Sequence, residues 1–157
     1  MERKSLFIGV TLGLICISVI AFLSNILTKV THLKMNTTLQ KSIEDTLATE
    51  ATIDFSQVTD FEWDMMYVFT PYSSPNEILS QDDVLTLNNY FDIEHLDTIV
   101  MFGFVKNNKL VSYVELPIEY IADLPPTSIR FTNDTAVFQI QPAPPNSTVL
   151  NTIYLLQ

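Results

Sequence analysis

Residues 6–23 read LFIGVTLGLICISVIAFL, a run without a charge, and the uncharged stretch extends from Ser5 to Thr28. A hydrocarbon core of ~30 Å is crossed by about 20 residues of helix. The run has that length and is apolar on every face, which a soluble helix rarely is. Gly9, Thr11, Gly13 and Ser18 are small residues that membrane helices tolerate well. A cleaved signal would have an apolar core of about 7–15 residues closed by a small-x-small site. At that spacing this chain pairs Ala21 with Leu23 and Phe22 with Ser24. Lipid attachment at Cys16 fits no better, because bulky Ile15 precedes it in the middle of the run. The pattern therefore predicts a retained anchor, with membrane lipid met through residues 6–27. Arg3, Lys4 and the amino terminus lie before it, and Lys29 and Lys34 follow. The short basic tail favours an N-terminus inside and a C-terminal domain outside the cytoplasm, at the plasma membrane.

Beyond the run the period changes. Leu39, Ile43, Leu47 and Ala51 recur every four positions, which predicts an amphipathic helix or stalk over 29–51. Its stripe packs on the domain's own sheet or on a partner helix. Residues 52–157 read as one domain of short strands. A strand is expected within 61–70 and ends at Pro71. Ser74-Pro75-Asn76-Glu77 carries the signature of a helix start. Ser80-Gln81-Asp82-Asp83 repeats a similar signal, so 75–90 reads as one bent helix or two short ones, with Asp82 and Asp83 at a helix N-terminus. Residues 99–105 and 110–116 form a hairpin, its turn supplied by Asn107-Asn108. A second hairpin is predicted from 128–132 and 136–141 around Asn133-Asp134. Residues 148–156 supply a last strand. The expected class is α+β: an N-terminal transmembrane helix, an amphipathic helix, then a small, mostly antiparallel sheet with one or two short helices. Domain limits fall at 1–28, 29–51 and 52–157.

Charge sharpens the picture. Of the 18 acidic residues 17 follow the run, against six of the eight Lys and Arg, so the domain side carries −11. Such a surface is repelled by phosphate backbones, and nucleic acid is not an expected partner. It suits a basic partner or a solvated acidic face. Chemistry-bearing motifs are sparse. Three glycines leave no phosphate-binding loop, two isolated histidines (His32 and His95) make no zinc site, and a single cysteine excludes an internal disulfide. No Gly-x-Ser-x-Gly elbow occurs. The acidic pairs Glu62/Asp64, Asp82/Asp83 and Asp92/Glu94 have no calcium-loop spacing. No cofactor, metal or catalytic set is predicted. The three Asn-x-Ser/Thr sites at Asn36, Asn133 and Asn146 matter only in a eukaryotic source.

The most distinctive stretch is Trp63-Asp64-Met65-Met66-Tyr67-Val68-Phe69-Thr70-Pro71-Tyr72. With the helix start behind it and the Phe104–Lys109 turn region, it resembles small, uncharacterised bacterial membrane-anchored envelope proteins carrying Trp-Asp-x-x-Tyr-x-Phe-x-Pro-Tyr. The resemblance covers about residues 53–140. It implies location and fold but no activity. Ser80-Gln81 follows Leu79 where the resemblance leads one to expect Leu-Gly. Trp63, Asp64, Tyr67 and Tyr72 are the candidate binding residues, either lining a groove or forming a core strand with Asp64 capping a turn. Three functions remain open. The first is a membrane-tethered binding or accessory module with an envelope protein partner. The second is an envelope hydrolase using Asp64, Asp82 and Asp83. The third is a small subunit of a membrane complex joined through Gly9 and Gly13.

Overall fold

The computed structural model describes residues 32–87 and 89–155. The hydrophobic run and its expected anchor lie outside the described residues. Among the described residues, no helix is long and apolar enough to cross a membrane.

Helix α1 spans Thr37–Thr49 and buries Leu39, Ile43 and Leu47. Its start at Thr37 falls well inside the expected 29–51 segment. Asn36 is the reason: its side chain accepts the Leu39 N–H (2.9 Å) as an N-cap. Its own N–H leaves the helix direction and bonds the Tyr113 carbonyl (2.8 Å). Residues 32–36 are therefore non-helical, and the described part of the 29–51 segment is not a continuous helix. The stripe packs into the domain's own core. Ala51 is exposed and takes no part.

Strand β1 (Thr52–Asp54) leads into the one-turn helix α2 (Phe55–Val58), capped by the Asp54 carboxylate on the Ser56 N–H (2.9 Å). The remaining elements are β2 (Met65–Phe69), α3 (Pro75–Gln81), β3 (Ile99–Lys106), β4 (Lys109–Pro117), β5 (Ile129–Thr132), β6 (Val137–Pro142) and β7 (Asn151–Tyr154). They build two antiparallel sheets, β4-β3-β2-β5 and β1-β6-β7, rather than one. The class is α+β.

Strand β2 lies inside the larger sheet, and both its faces are covered. Its sequence is therefore continuously apolar instead of alternating. Met66 and Val68 join a core with α1 and the smaller sheet. Phe55 is the hub of that core, its ring 5.2 Å from Phe102 and 5.9 Å from Phe138, both edge-on. Tyr67 and Phe69 point to the other face, where Leu79, Phe91, Ile93 and Met101 cover them.

The β3–β4 hairpin forms as the sequence predicts. Asn107 and Asn108 both have positive φ (49° and 56°), as a two-residue hairpin turn of this hand requires. The predicted second hairpin does not form. β5 pairs with β2, and β6 pairs with β1 and β7. Thr132 and Thr135 close a tight corner, with Thr135 N–H on the Thr132 carbonyl (3.0 Å), that carries the chain from one sheet to the other.

Helix α3 ends at Gln81, so Asp82 and Asp83 sit at a C-terminus, not the expected N-terminus. Val84 N–H bonds the Leu79 carbonyl (2.9 Å) and Asp83 N–H the Ser80 carbonyl (3.2 Å). Asp83 lies between them at φ 56°. This is the Schellman pattern, with buried Val84 and Leu79 in its apolar contact. Among the described residues, no second α-helix follows. The chain reaches β3 through an isolated bridge of Leu85 to Lys109 and a 3-10 turn at Asp92–Glu94.

Candidate functional site

The four candidate residues do not form one groove. They are distributed over both faces and both ends of β2. Trp63 is core: 4% exposed, edge-on to Phe104 at 5.3 Å, with its indole N–H donating to Thr59 Oγ1 (2.9 Å). Thr59 passes a hydrogen bond on to the Phe55 carbonyl (2.8 Å). The single tryptophan is thus a satisfied core residue whose edge reaches one surface hollow.

Asp64 follows it and works as a clamp. Its backbone extends the β2 ladder both ways, N–H to the Val105 carbonyl (2.7 Å) and carbonyl to the Asn133 N–H (3.1 Å). Its carboxylate accepts the Asn107 N–H (2.9 Å) and Lys106 Nζ (2.9 Å). Lys106 also reaches Glu62 at 3.7 Å. The backbone N–H of Asn107, then Lys106, hold the Asp64 carboxyl below its usual range. Asp64 therefore fastens the hairpin turn to the start of β2.

Around these residues lies an open hollow of about 550 Å³, lined by Ser56, Phe61, Glu62, Asp64, Lys106 and Asp134 among others. Its charged lining is Glu62, Asp64 and Asp134 against Lys106, and Phe61 and Trp63 are its apolar residues.

Tyr67 belongs to a different site. Its hydroxyl donates to Asp82 Oδ2 (2.9 Å), and Arg130 Nη1 meets the same oxygen (2.6 Å). Arg130 is the cross-strand neighbour of Tyr67, so both project from one face of the sheet. The Tyr67 hydrogen bond, helped by Arg130, lowers the Asp82 carboxyl. Desolvation, then Asp82, pushes the Tyr67 phenol up. The trio staples the end of α3 to the sheet. Sequence reasoning missed it because Arg130 is 48 residues from Asp82 and in no motif with it.

Tyr72 stands apart at the other end of β2. It is 65% exposed and has φ 62° in the Thr70–Ser73 turn, with Pro71 before it. Its N–H bonds the Ile93 carbonyl (2.9 Å).

Asp64 and Asp82 line separate hollows, and each is spent on a cation and a further donor. A carboxyl acting as general acid needs a raised pKa, and both are lowered. Asp83 is an exposed helix-end residue. Among the described residues, no group of three His, Cys, Asp or Glu is placed to hold a metal. No family profile, curated protein or solved structure matches the chain.

Proposed function

We propose that this chain is a membrane-tethered module whose acidic domain, outside the cytoplasm, binds an envelope partner rather than turning over a substrate. The observation that carries the reading is the pairing of a span-length uncharged run with a folded unit, Leu33–Gln157, on the −11 side of the chain. The basic tail before the run favours the outside placement of that unit. The acidic hollow beside Asp64 supplies a surface for a basic segment: Glu62 is almost fully exposed and has only a long contact to Lys106. Rim charges of this kind steer and select a partner. The hydrolase alternative has less support, because its two most engaged carboxylates serve as structural clamps.

Affinity capture of the full chain from detergent-solubilised envelopes tests the reading. A Glu62→Lys chain is the comparator, since Glu62 lines the hollow, is almost fully exposed and has only the long contact to Lys106. The expected result is a partner recovered with the native chain and depleted with the comparator. Equal recovery, or no specific partner with either chain, contradicts it.

A further inference from the structure

Three of the large apolar side chains exposed among the described residues are Tyr72 (65%), Tyr90 (69%) and Leu96 (42%). They belong to two segments laced together at the Phe69 end of β2. Tyr72 N–H bonds the Ile93 carbonyl (2.9 Å), the Tyr90 ring lies 5.4 Å from that of His95, and Leu96 N–H bonds the Asp92 carbonyl (3.1 Å). Asn89, beside Tyr90, ties this end to two further places. Its carbonyl accepts from Asn76 Nδ2 (2.7 Å), and its side-chain oxygen accepts the Leu33 N–H (3.0 Å).

Leu33 is the first residue of the folded unit and lies five residues after Thr28, where the uncharged stretch ends. Five residues reach at most about 18 Å even when fully extended. If the run is an anchor, Leu33 is held within that distance of the bilayer's apolar edge, and Asn89 and Tyr90 are held with it. Tyrosine is the residue whose apolar ring and polar hydroxyl suit the headgroup level. Tyr72 adds a second argument. It occupies a positive-φ position where glycine would be relaxed, and its exposed ring contributes nothing to the core.

From this juxtaposition we infer that the segments carrying Tyr72, Tyr90 and Leu96 rest in the lipid headgroup layer. The inference rests on the tether reading above. Asp92 and Asp97 are exposed beside the patch, so the attraction is to the amphipathic interface itself, and zwitterionic lipid suffices.

The test uses the full chain in phosphatidylcholine vesicles, carrying Tyr72→Trp, Tyr90→Trp or, as control, Leu150→Trp, whose native side chain is 86% exposed. Native Trp63 is buried and contributes a common background. Spin-labelled lipids quench the introduced indoles. The expected result is several-fold stronger quenching of the Tyr72→Trp and Tyr90→Trp chains than of the control, greatest with a headgroup-level label. Quenching no greater than the control, in chains that float with the vesicles, overturns this inference alone. A blue-shifted emission that no lipid label quenches means that these residues are covered by protein, in these vesicles a second copy of the chain, and also overturns it. Chains that do not float with the vesicles overturn the tether, and this inference with it.

Discussion

Gly103 sits in the middle of β3, opposite Tyr67 on one side and Tyr113 on the other. A methyl group built there would lie 3.0 Å from Phe69 Cε2, 3.2 Å from Leu110 Cδ1 and 3.6 Å from Met101 Cε. Phe69 and Met101 are completely buried and Leu110 nearly so, which leaves them little room to withdraw. Two effects of Gly103→Ala therefore oppose each other. Removing the backbone freedom of glycine stabilises a strand by about 0.5–1 kcal/mol. Forcing a methyl into a filled core costs about 1–3 kcal/mol. The balance is a loss of about 1 kcal/mol, or a fall in Tm of about 4 °C for a domain of this size. Urea unfolding of the Leu33–Gln157 unit, with m unchanged, reads it directly. Leu110→Val should make room, so the double variant should lose less than the two single losses added together. A Gly103→Ala domain as stable as the native one would refute the reasoning. It would mean that the cost of the methyl is no larger than the backbone gain, and that this face of the sheet has more room than the distances to Phe69 and Leu110 imply.

Two further outcomes follow from the geometry. Asp83→Gly should raise stability by about 0.5–1 kcal/mol, because glycine adopts the left-handed C′ position of α3 without the strain that Asp83 bears at φ 56°; an unchanged or lower urea midpoint would count against the Schellman end. Half-buried Glu115 has its carboxyl raised, first by desolvation and then by Asp92. A raised folded-state pKa favours folding below the unfolded value and loses that contribution as pH rises through the folded one. The native domain should therefore lose stability relative to Glu115→Gln between acid and neutral pH, and parallel Tm–pH curves for the two would contradict this.

The features legible in the sequence were those decided within a few residues. Asn107-Asn108 set the hairpin turn by their tolerance of positive φ, and Leu39, Ile43 and Leu47 declared a buried helical face by spacing alone. Asp82-Asp83 misled because aspartate serves at either end of a helix: it caps an N-terminus with its side chain, and it tolerates the left-handed conformation at a C-terminus. Only the Leu79 and Ser80 carbonyls accepting from Val84 and Asp83 decide between the two. The Asn133-Asp134 corner misled similarly. Turn residues show that the chain reverses, but the strand each arm pairs with depends on β1 and β2, more than 60 residues earlier. Of the candidate residues, the motif suggested one groove, whereas the structure spreads them over both faces and both ends of β2. Alternation would place Trp63 with Tyr67 on one face, but Asp64 bonds both neighbouring strands before β2 begins, and Trp63 turns into the Phe104 side.

The claim on which the rest depends is that the folded unit is tethered to a membrane and faces outward. Gln57 is exposed on α2, and Cys16 is the only native cysteine. A full chain carrying Cys16→Ser and Gln57→Cys, expressed in intact cells and treated with a membrane-impermeant maleimide, tests both halves at once. Labelling without lysis is expected, on a chain that stays in the membrane pellet after alkaline extraction. Labelling only after lysis, or release of the chain into the soluble fraction, would contradict it.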